Sequence, residues 1–170
     1  MNTDPIVSES FDESHAKLWE IIKSSRFAML TTIEDGALRA RPMTTVQKDF
    51  GGTLWFFAPA HSAVAHAIES NEQVCVAYAN ADKADFVSMS GVASLVNHAA
   101  IKEKLWSPMV QAWFPQGASS QEVALIKVDI TNAEYWDSIG NKLVHLYSMA
   151  RAYVRGTTPK NISEHRQVKM

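Results

Sequence analysis

The sequence predicts a mainly β protein, a small closed antiparallel barrel of about six strands with helices added to it. Two observations predict this class. Apolar runs of strand length follow one another across turn sequences such as EDG (34–36) and DFGG (49–52), which is typical of hairpins. Helical periodicity does not alternate regularly with these runs, as the helices and strands of a doubly wound parallel sheet would.

An amphipathic helix is predicted at residues 13–25, where Leu18, Ile21 and Ile22 recur at helical spacing. Strands follow in hairpin order, and Gly36 supplies the positive φ of the first turn. Five strands are predicted at residues 27–33, 37–47, 53–59, 74–80 and 85–97, and residues 123–137 are predicted to hold one strand and the start of another.

Three further helices are predicted among and after the strands. Residues 62–70 form a short helix of small residues, and residues 99–114 form a helix that bends or restarts at Pro108. Residues 141–156 form a final helix that Gly156 closes.

Length and composition are those of one globular domain. The chain has 170 residues, of which 46% are hydrophobic and 20% are charged, enough for one core. We expect a single domain over residues 1–170, with tails at residues 1–12 and 157–170. The second tail is polar and is expected to be partly extended.

Several classes of partner are not expected. A formal net charge of −2 gives no basic patch for nucleic acid. No apolar run approaches the ~20 residues of a membrane span, and the acidic N-terminus is neither a signal nor a transit peptide, so a cytoplasmic location without membrane contact is expected. Cys75 lies in the apolar run VCVAYA and is expected to be a buried, inert thiol. The histidines show no spacing that predicts a metal site.

Two arginines in the strand at residues 37–47 are suited to an anion. Arg39 and Arg41 are two residues apart, so their side chains share a face, and Met43 continues that row. Pro42 cannot donate a ladder hydrogen bond, which indicates an edge or a bulge. An arginine beside a strand-to-helix junction can hold phosphate through a bidentate fork, although solvated surface charges give the same pattern.

The stretch WFFAPAHSAVAHAI, residues 55–68, is an aromatic strand that leads into a helix. Ser62 can cap this helix, or its hydroxyl and the first helical N–H groups can bind an anion. Trp55 and Phe57 share one face of the strand and Phe56 has the other, a pattern found both in cores and in cofactor sites.

Three further tryptophans lie outside the first core strands. Trp106 and Trp113 are seven residues apart, which predicts one helical face, and Trp136 follows in AEYWDS. Such side chains suit an aromatic ligand or a subunit interface, and core packing remains an alternative.

Taken together, a set of ordered segments resembles the pyridoxamine 5'-phosphate oxidase-like split barrels that bind FMN, in particular their bacterial general stress protein branch. The segments are FAMLTTI, RARPM, TLWFFAPAHSAV, VCVAYA, DFVSMSGVA, LWSPMVQAWFPQG and AEYWDS, which cover most of residues 15–155. The resemblance implies a six-stranded antiparallel split β-barrel with peripheral helices, a homodimer, and FMN in a cleft between two subunits. It also implies a stress-related flavin-dependent oxidoreductase whose flavin carries the redox chemistry, with no catalytic side chain, or alternatively a non-catalytic flavin carrier, buffer or sensor.

The resemblance also assigns cofactor-binding residues. Arg41 and Ser62 match residues that hold the phosphate, and Phe86 and Ser88 match positions that approach the flavin from the second subunit. The other matches are Met43 and Thr44 along the flavin, the strand Trp55, Phe56, Phe57 and Ala58 at the edge of the ring, and the aromatics Trp113, Phe114 and Trp136 near the ring.

Two departures from the family pattern bear on function. Val64 stands where the pattern commonly has a phosphate-binding lysine, a contact worth about 1.5 to 3 kcal/mol, so we expect weakened FMN binding unless Arg39 or His61 substitutes. The segment EYWDSIGNKLVHLY lacks the arginine that closely follows the tryptophan in the oxidase itself, so oxidation of pyridoxamine 5'-phosphate is not expected.

Overall fold

Seven strands and four helices follow one another in the residues that the computed structural model describes, 11–137 and 164–169. The elements are α1 (Phe11–Ser25), β1 (Phe27–Glu34), β2 (Ala37–Thr44), β3 (Thr53–Pro59), α2 (Ala63–Ser70), β4 (Gln73–Asn80), β5 (Asp85–Val96), α3 (Ala99–Leu105), α4 (Pro108–Trp113), β6 (Val123–Asp137) and β7 (Glu164–Lys169). Strands dominate, so the predicted mainly β class is confirmed. The helix predicted at residues 141–156 lies outside the described residues.

The strands form one antiparallel sheet in the order β2-β1-β4-β5-β6-β3, and β7 pairs with β6 outside this path. The antiparallel class is confirmed, but the closed barrel is wrong, because β2 and β3 end the sheet without forming a ladder. Pro42 contributes to this edge, as predicted, since it has no N–H to offer to a second neighbour. We call the opening between β2 and β3 the split.

Two residues after β2 bridge the split. The N–H of Val46 donates to the carbonyl of Trp55 at 3.2 Å. The side chain of Gln47 donates to the Thr53 carbonyl at 2.7 Å and accepts from the Trp55 N–H at 3.0 Å. The two edges are therefore held together at one end, and a split barrel results.

Residues 123–137, predicted as one strand and the start of another, form the single strand β6. Its register against β5 shifts between Ser90 and Gly91. A Cβ atom at Gly91 would lie 2.6 Å from the Asp129 carbonyl oxygen, so only glycine allows this close approach. The sheet also gains strand β7 from the segment predicted as a partly extended tail.

The core has two parts, and β3 separates them. The main core lies between α1, α2 and the inner face of the sheet, and it includes Leu18, Leu30 and Phe56. A smaller cluster lies on the opposite face of β3 under α3 and α4, and Phe57 is at its centre. The alternation predicted for the aromatic strand thus divides its side chains between two layers.

The predicted helix at residues 99–114 is two helices, because the chain is extended at Trp106 and Ser107 before Pro108 begins α4. Trp106 and Trp113 therefore do not share a helical face, which corrects the prediction. Within the described ranges, no helix is long and apolar enough to cross a membrane.

Candidate functional site

Arg41 faces the same side of the sheet as the core residue Leu30, its partner in the β1–β2 hairpin. Its Nη1 donates to the Thr32 Oγ1 at 3.0 Å, and its Nη2 is paired with the Glu34 carboxylate. Thr32 in turn donates to Glu34 at 3.1 Å, which closes a cycle of three side chains. The guanidinium that the resemblance assigns to phosphate thus already has an anionic partner.

The hydrogen bond from Arg41 holds the pKa of the Glu34 carboxyl below its ordinary value, and the charge of Arg39 adds to this effect. Arg39 is exposed and pairs with Thr32 in the hairpin, so it shares the face of Arg41 as predicted. Two arginines, Arg39 and Arg41, and the carboxylate of Glu34 therefore lie together on the β1–β2 hairpin, and β2 borders the split.

Sequence reasoning missed Glu34 and Thr32, although a signal was present. The turn at Asp35 and Gly36, both with positive φ, joins β1 to β2 in two residues and fixes the hairpin register. That register alone places Thr32 and Glu34 on the same face as Arg41.

Ser62 caps α2 in the manner predicted from sequence. Its backbone is extended, and its Oγ accepts from the Ala65 N–H at 3.4 Å. The first turn of α2 contains no acidic residue, so its partly positive N-terminus is not neutralised from within the helix. The cap is long for a hydrogen bond, and this hydroxyl and helix start are chemically suited to an anion.

Val64 is 4% exposed and packs into the main core. The position where the family pattern has a lysine therefore points inward in this chain. Position 64 therefore supplies no positive charge to a phosphate, and any cation that assists Arg41 must come from another residue. His61, one candidate, is exposed, and its Nε2 lies 4.0 Å from the carboxylate of Glu122.

The other residues matched at β2 and β3 lie along the split. Met43 is half-buried against the main core, and Thr44 falls on the opposite face of the sheet. The N–H and carbonyl of Trp55 point toward β2, and by strand alternation those of Phe57 do as well. Ala58 is buried. The backbone of β3 therefore presents polar groups to the split, where the resemblance predicts the edge of the flavin ring.

Phe57 is fixed by aromatic neighbours from the helical layer. Trp106 meets it edge to face with a centroid distance of 5.1 Å, and Phe114 lies at 6.3 Å. Trp113, in contrast, is 77% exposed. The predicted aromatics at residues 113 and 114 thus point to different surroundings, one packed and one open.

Phe86, Ser88 and Trp136 lie on the opposite side of the sheet from Arg41. Phe86 pairs with Trp136 across β5 and β6, and Ser88 pairs with Ala77 of β4. We call this surface the outer sheet face; it comprises Phe27, Met29, Cys75, Ala77, Phe86, Ser88 and Trp136. Within one chain, the predicted flavin residues are therefore divided between the two faces of the sheet.

Cys75 belongs to this outer face and is only partly buried, which corrects the prediction of a buried thiol. The reason is strand alternation, since Val74 and Val76 on either side face the core. Its Sγ lies 3.7 Å from the Ser88 hydroxyl.

A groove of about 650 Å³ lies at the other end of α2 and contains none of the predicted site residues. Glu69 and Glu72 line it together with Ser94, and no basic residue does. This composition does not suit a phosphate. In residues 11–137 and 164–169, no cluster of three or more histidine, cysteine or acidic side chains is arranged to hold a metal ion.

Comparison with known proteins decides the family. A family model described as pyridoxamine 5'-phosphate oxidase like matches residues 13–160 of the chain. The chain belongs to this family. Among curated proteins, the pyridoxamine 5'-phosphate oxidase-like chain is similar to protein bli-3 of Neurospora crassa, with 26% identity over 92% of this chain and 80% of the fungal protein.

Solved structures agree with the fold of this pyridoxamine 5'-phosphate oxidase-like chain. A general stress protein 26 homologue from Jannaschia aligns with a TM-score of 0.75 and 21% identity over 94% of this chain and 100% of that chain. A general stress FMN/FAD binding protein from Xanthomonas citri aligns with a TM-score of 0.67 and 32% identity over 76% of this chain and 92% of that chain. The predicted split barrel is thus confirmed as the fold.

Proposed function

We propose that the protein is a homodimeric flavoprotein that binds FMN between two subunits and acts as a cytoplasmic FMN-dependent oxidoreductase. The observation that carries this proposal is the division of the predicted flavin residues between two faces of one sheet. Arg41 lies on the side of the sheet against which α2 packs, whereas Phe86 and Ser88 face outward. A flavin that contacts both groups requires the outer sheet face of a second copy.

The donor set of the split fits a phosphorylated flavin. Within the described residues, Arg41 uses two of its five N–H donors, on Thr32 and Glu34, and leaves three for a phosphate. The hydroxyl of Ser62 and the N-terminus of α2 provide further donors of the right kind. Glu34 is a group of opposite sign in contact with Arg41. This chemistry is consistent with the relative from Xanthomonas citri, which is an FMN/FAD binding protein.

The outer sheet face supports the proposed dimer. Phe27 is 61% exposed, Met29 44% and Phe86 42%. Phe27 and Met29 lie on β1 and Phe86 on β5, with β4 between the two strands on the same face. An apolar surface of this kind on a sheet is typical of a subunit interface, and a two-fold dimer buries the same patch on both copies.

Bound flavin would supply the electron transfer, and the chain would supply binding, orientation and exclusion of water. A second candidate function is a non-catalytic flavin carrier, buffer or sensor, which would use the same binding residues without electron transfer to a substrate.

Reconstitution with FMN tests the flavin in both candidates. We expect the visible flavin band to stay with the protein after gel filtration, with a mass of two chains by light scattering. Anaerobic mixing with NADH or NADPH then separates the candidates, because an oxidoreductase bleaches the flavin and a carrier does not. Failure to retain any flavin contradicts both.

A charge placed on the outer sheet face tests the dimer. Phe86→Lys should give a monomer that no longer retains FMN, because the charge would be buried against the second copy. Ser94→Lys, on the same strand but in the groove beside α2, should remain dimeric. A dimeric Phe86→Lys variant with normal FMN retention would contradict the proposed interface.

A further inference from the structure

The Arg41 guanidinium is held by a carboxylate of its own hairpin. Glu34 contacts Nη2 of Arg41, and Thr32, which is completely buried, contacts both of them. The side chains of Arg41 and Glu34 are 24% and 21% exposed, so the pair is partly shielded from water. Partial burial makes such a charge pair stronger than one on an open surface.

This pairing changes what Arg41 offers to a ligand. A phosphate that binds at the guanidinium meets the carboxylate of Glu34 next to it, and like charges at this range repel. Position 64 supplies no compensating positive charge, because the residue there is a valine and is buried in the core. The net positive charge near Arg41 is therefore lower than Arg39 and Arg41 would give without the carboxylate of Glu34.

We propose that Glu34 is a specificity-determining residue that weakens the hold of Arg41 on phosphate and so reduces the preference for phosphorylated over unphosphorylated flavin. The inference rests on the proposed function, since it assumes that Arg41 holds the flavin phosphate. Glu34 acts as an internal anion in the phosphate subsite, and Thr32 fixes it there. Wild-type protein accordingly binds FMN and riboflavin with more similar affinity than an unpaired arginine would produce.

The test compares FMN and riboflavin binding to the full-length protein by titration of flavin fluorescence. Glu34→Gln keeps the shape and removes the charge, and we expect it to tighten FMN binding about tenfold while riboflavin binding is unchanged. Asp35→Asn removes the same charge from the neighbouring exposed turn residue. It should change neither affinity, because Asp35 does not contact the guanidinium.

Each outcome decides the inference. Weaker FMN binding in Glu34→Gln would make Glu34 a residue that orients Arg41 and would overturn the proposal. Unchanged FMN binding, an equal change for riboflavin or an equal effect of Asp35→Asn would overturn it too. Combining Glu34→Gln with Arg41→Ala should leave a smaller gain for FMN than Glu34→Gln gives alone, and an undiminished gain overturns the proposal, because Glu34 would then act independently of Arg41. Thermal unfolding of each apo variant establishes that it is folded. If Glu34→Gln does not fold, Glu34→Asp keeps the charge on a shorter side chain and should leave the ratio of FMN to riboflavin affinity near the wild-type value. A large change in that ratio overturns the proposal.

Failure of the proposed function looks different. If the wild-type protein binds neither FMN nor riboflavin, the flavin assignment fails and the inference fails with it. If flavin binds but Arg41→Ala weakens FMN and riboflavin equally, flavin binding stands and the role of Glu34 is overturned.

Discussion

Replacing Val64 by lysine restores the residue that the family pattern commonly has, and the structure predicts that this chain will not tolerate it well. Val64 is 4% exposed and packs in the main core with Ile68. Loss of the buried valine side chain costs about 1.5 to 3 kcal/mol. The lysine side chain must also displace neighbouring side chains so that its ammonium group reaches water. We therefore expect a loss of about 3 kcal/mol in the free energy of unfolding.

Ala63→Lys is the matched control. Ala63 is the first residue of α2 and is exposed, so a lysine there adds the same charge without burial. We expect Ala63→Lys to leave stability within about 0.5 kcal/mol of wild type, and to strengthen FMN binding relative to riboflavin.

Urea unfolding of both variants measures the difference, and flavin titration measures the affinity. A Val64→Lys variant as stable as wild type would refute the reasoning, because it would mean that position 64 reaches solvent. A Val64→Lys variant that is destabilised, combined with tighter FMN binding in Ala63→Lys, would support it.

Three further outcomes are expected. Arg41→Ala should weaken FMN binding by about tenfold to a hundredfold and leave riboflavin nearly unchanged in a fluorescence titration, since only FMN carries the phosphate; equal loss for both contradicts the assignment. The lowered pKa of Glu34 means that its ion pair stabilises the fold above the ordinary pKa of 4.5 and that this contribution is lost as the pH falls through the folded-state pKa, so the stability difference between wild type and Glu34→Gln should shrink on acid titration followed by circular dichroism. Gly91→Ala should destabilise the sheet by about 1 to 3 kcal/mol, because its Cβ would lie 2.6 Å from the Asp129 carbonyl oxygen, whereas Gly51→Ala, with open space around it, should be far milder in thermal unfolding.

Local signals were sufficient wherever neighbouring residues in the chain decide the structure. The two-residue turn after Glu34 fixed a hairpin, and Ser62 marked the start of a helix, because turn and cap chemistry depend on a few adjacent residues. Pro42 likewise predicted an edge or a bulge from its missing N–H, and β2 is an edge strand.

Long-range pairing was beyond these signals. A period of two is the same for a strand inside a closed barrel and for one at the edge of a split, so closure could not be predicted from residues 37–47 and 53–59. The same holds for β7, because the polar sequence of Glu164–Lys169 gains its order by pairing with β6. The break between α3 and α4 was predicted as an alternative at Pro108, but not its effect on Trp113.

The sequence by itself determined the antiparallel class, most of the strands, and which residue types are suited to an anion such as phosphate. It did so because periodicity, turn residues and the donor chemistry of Arg41 and Ser62 are local properties. Only the tertiary structure decided what surrounds those residues: the carboxylate of Glu34 on the guanidinium, the burial of Val64 in the core, and the division of the predicted site between the split and the outer sheet face. Each of these depends on residues that are brought together by strand pairing and packing, and no single stretch of sequence contains them.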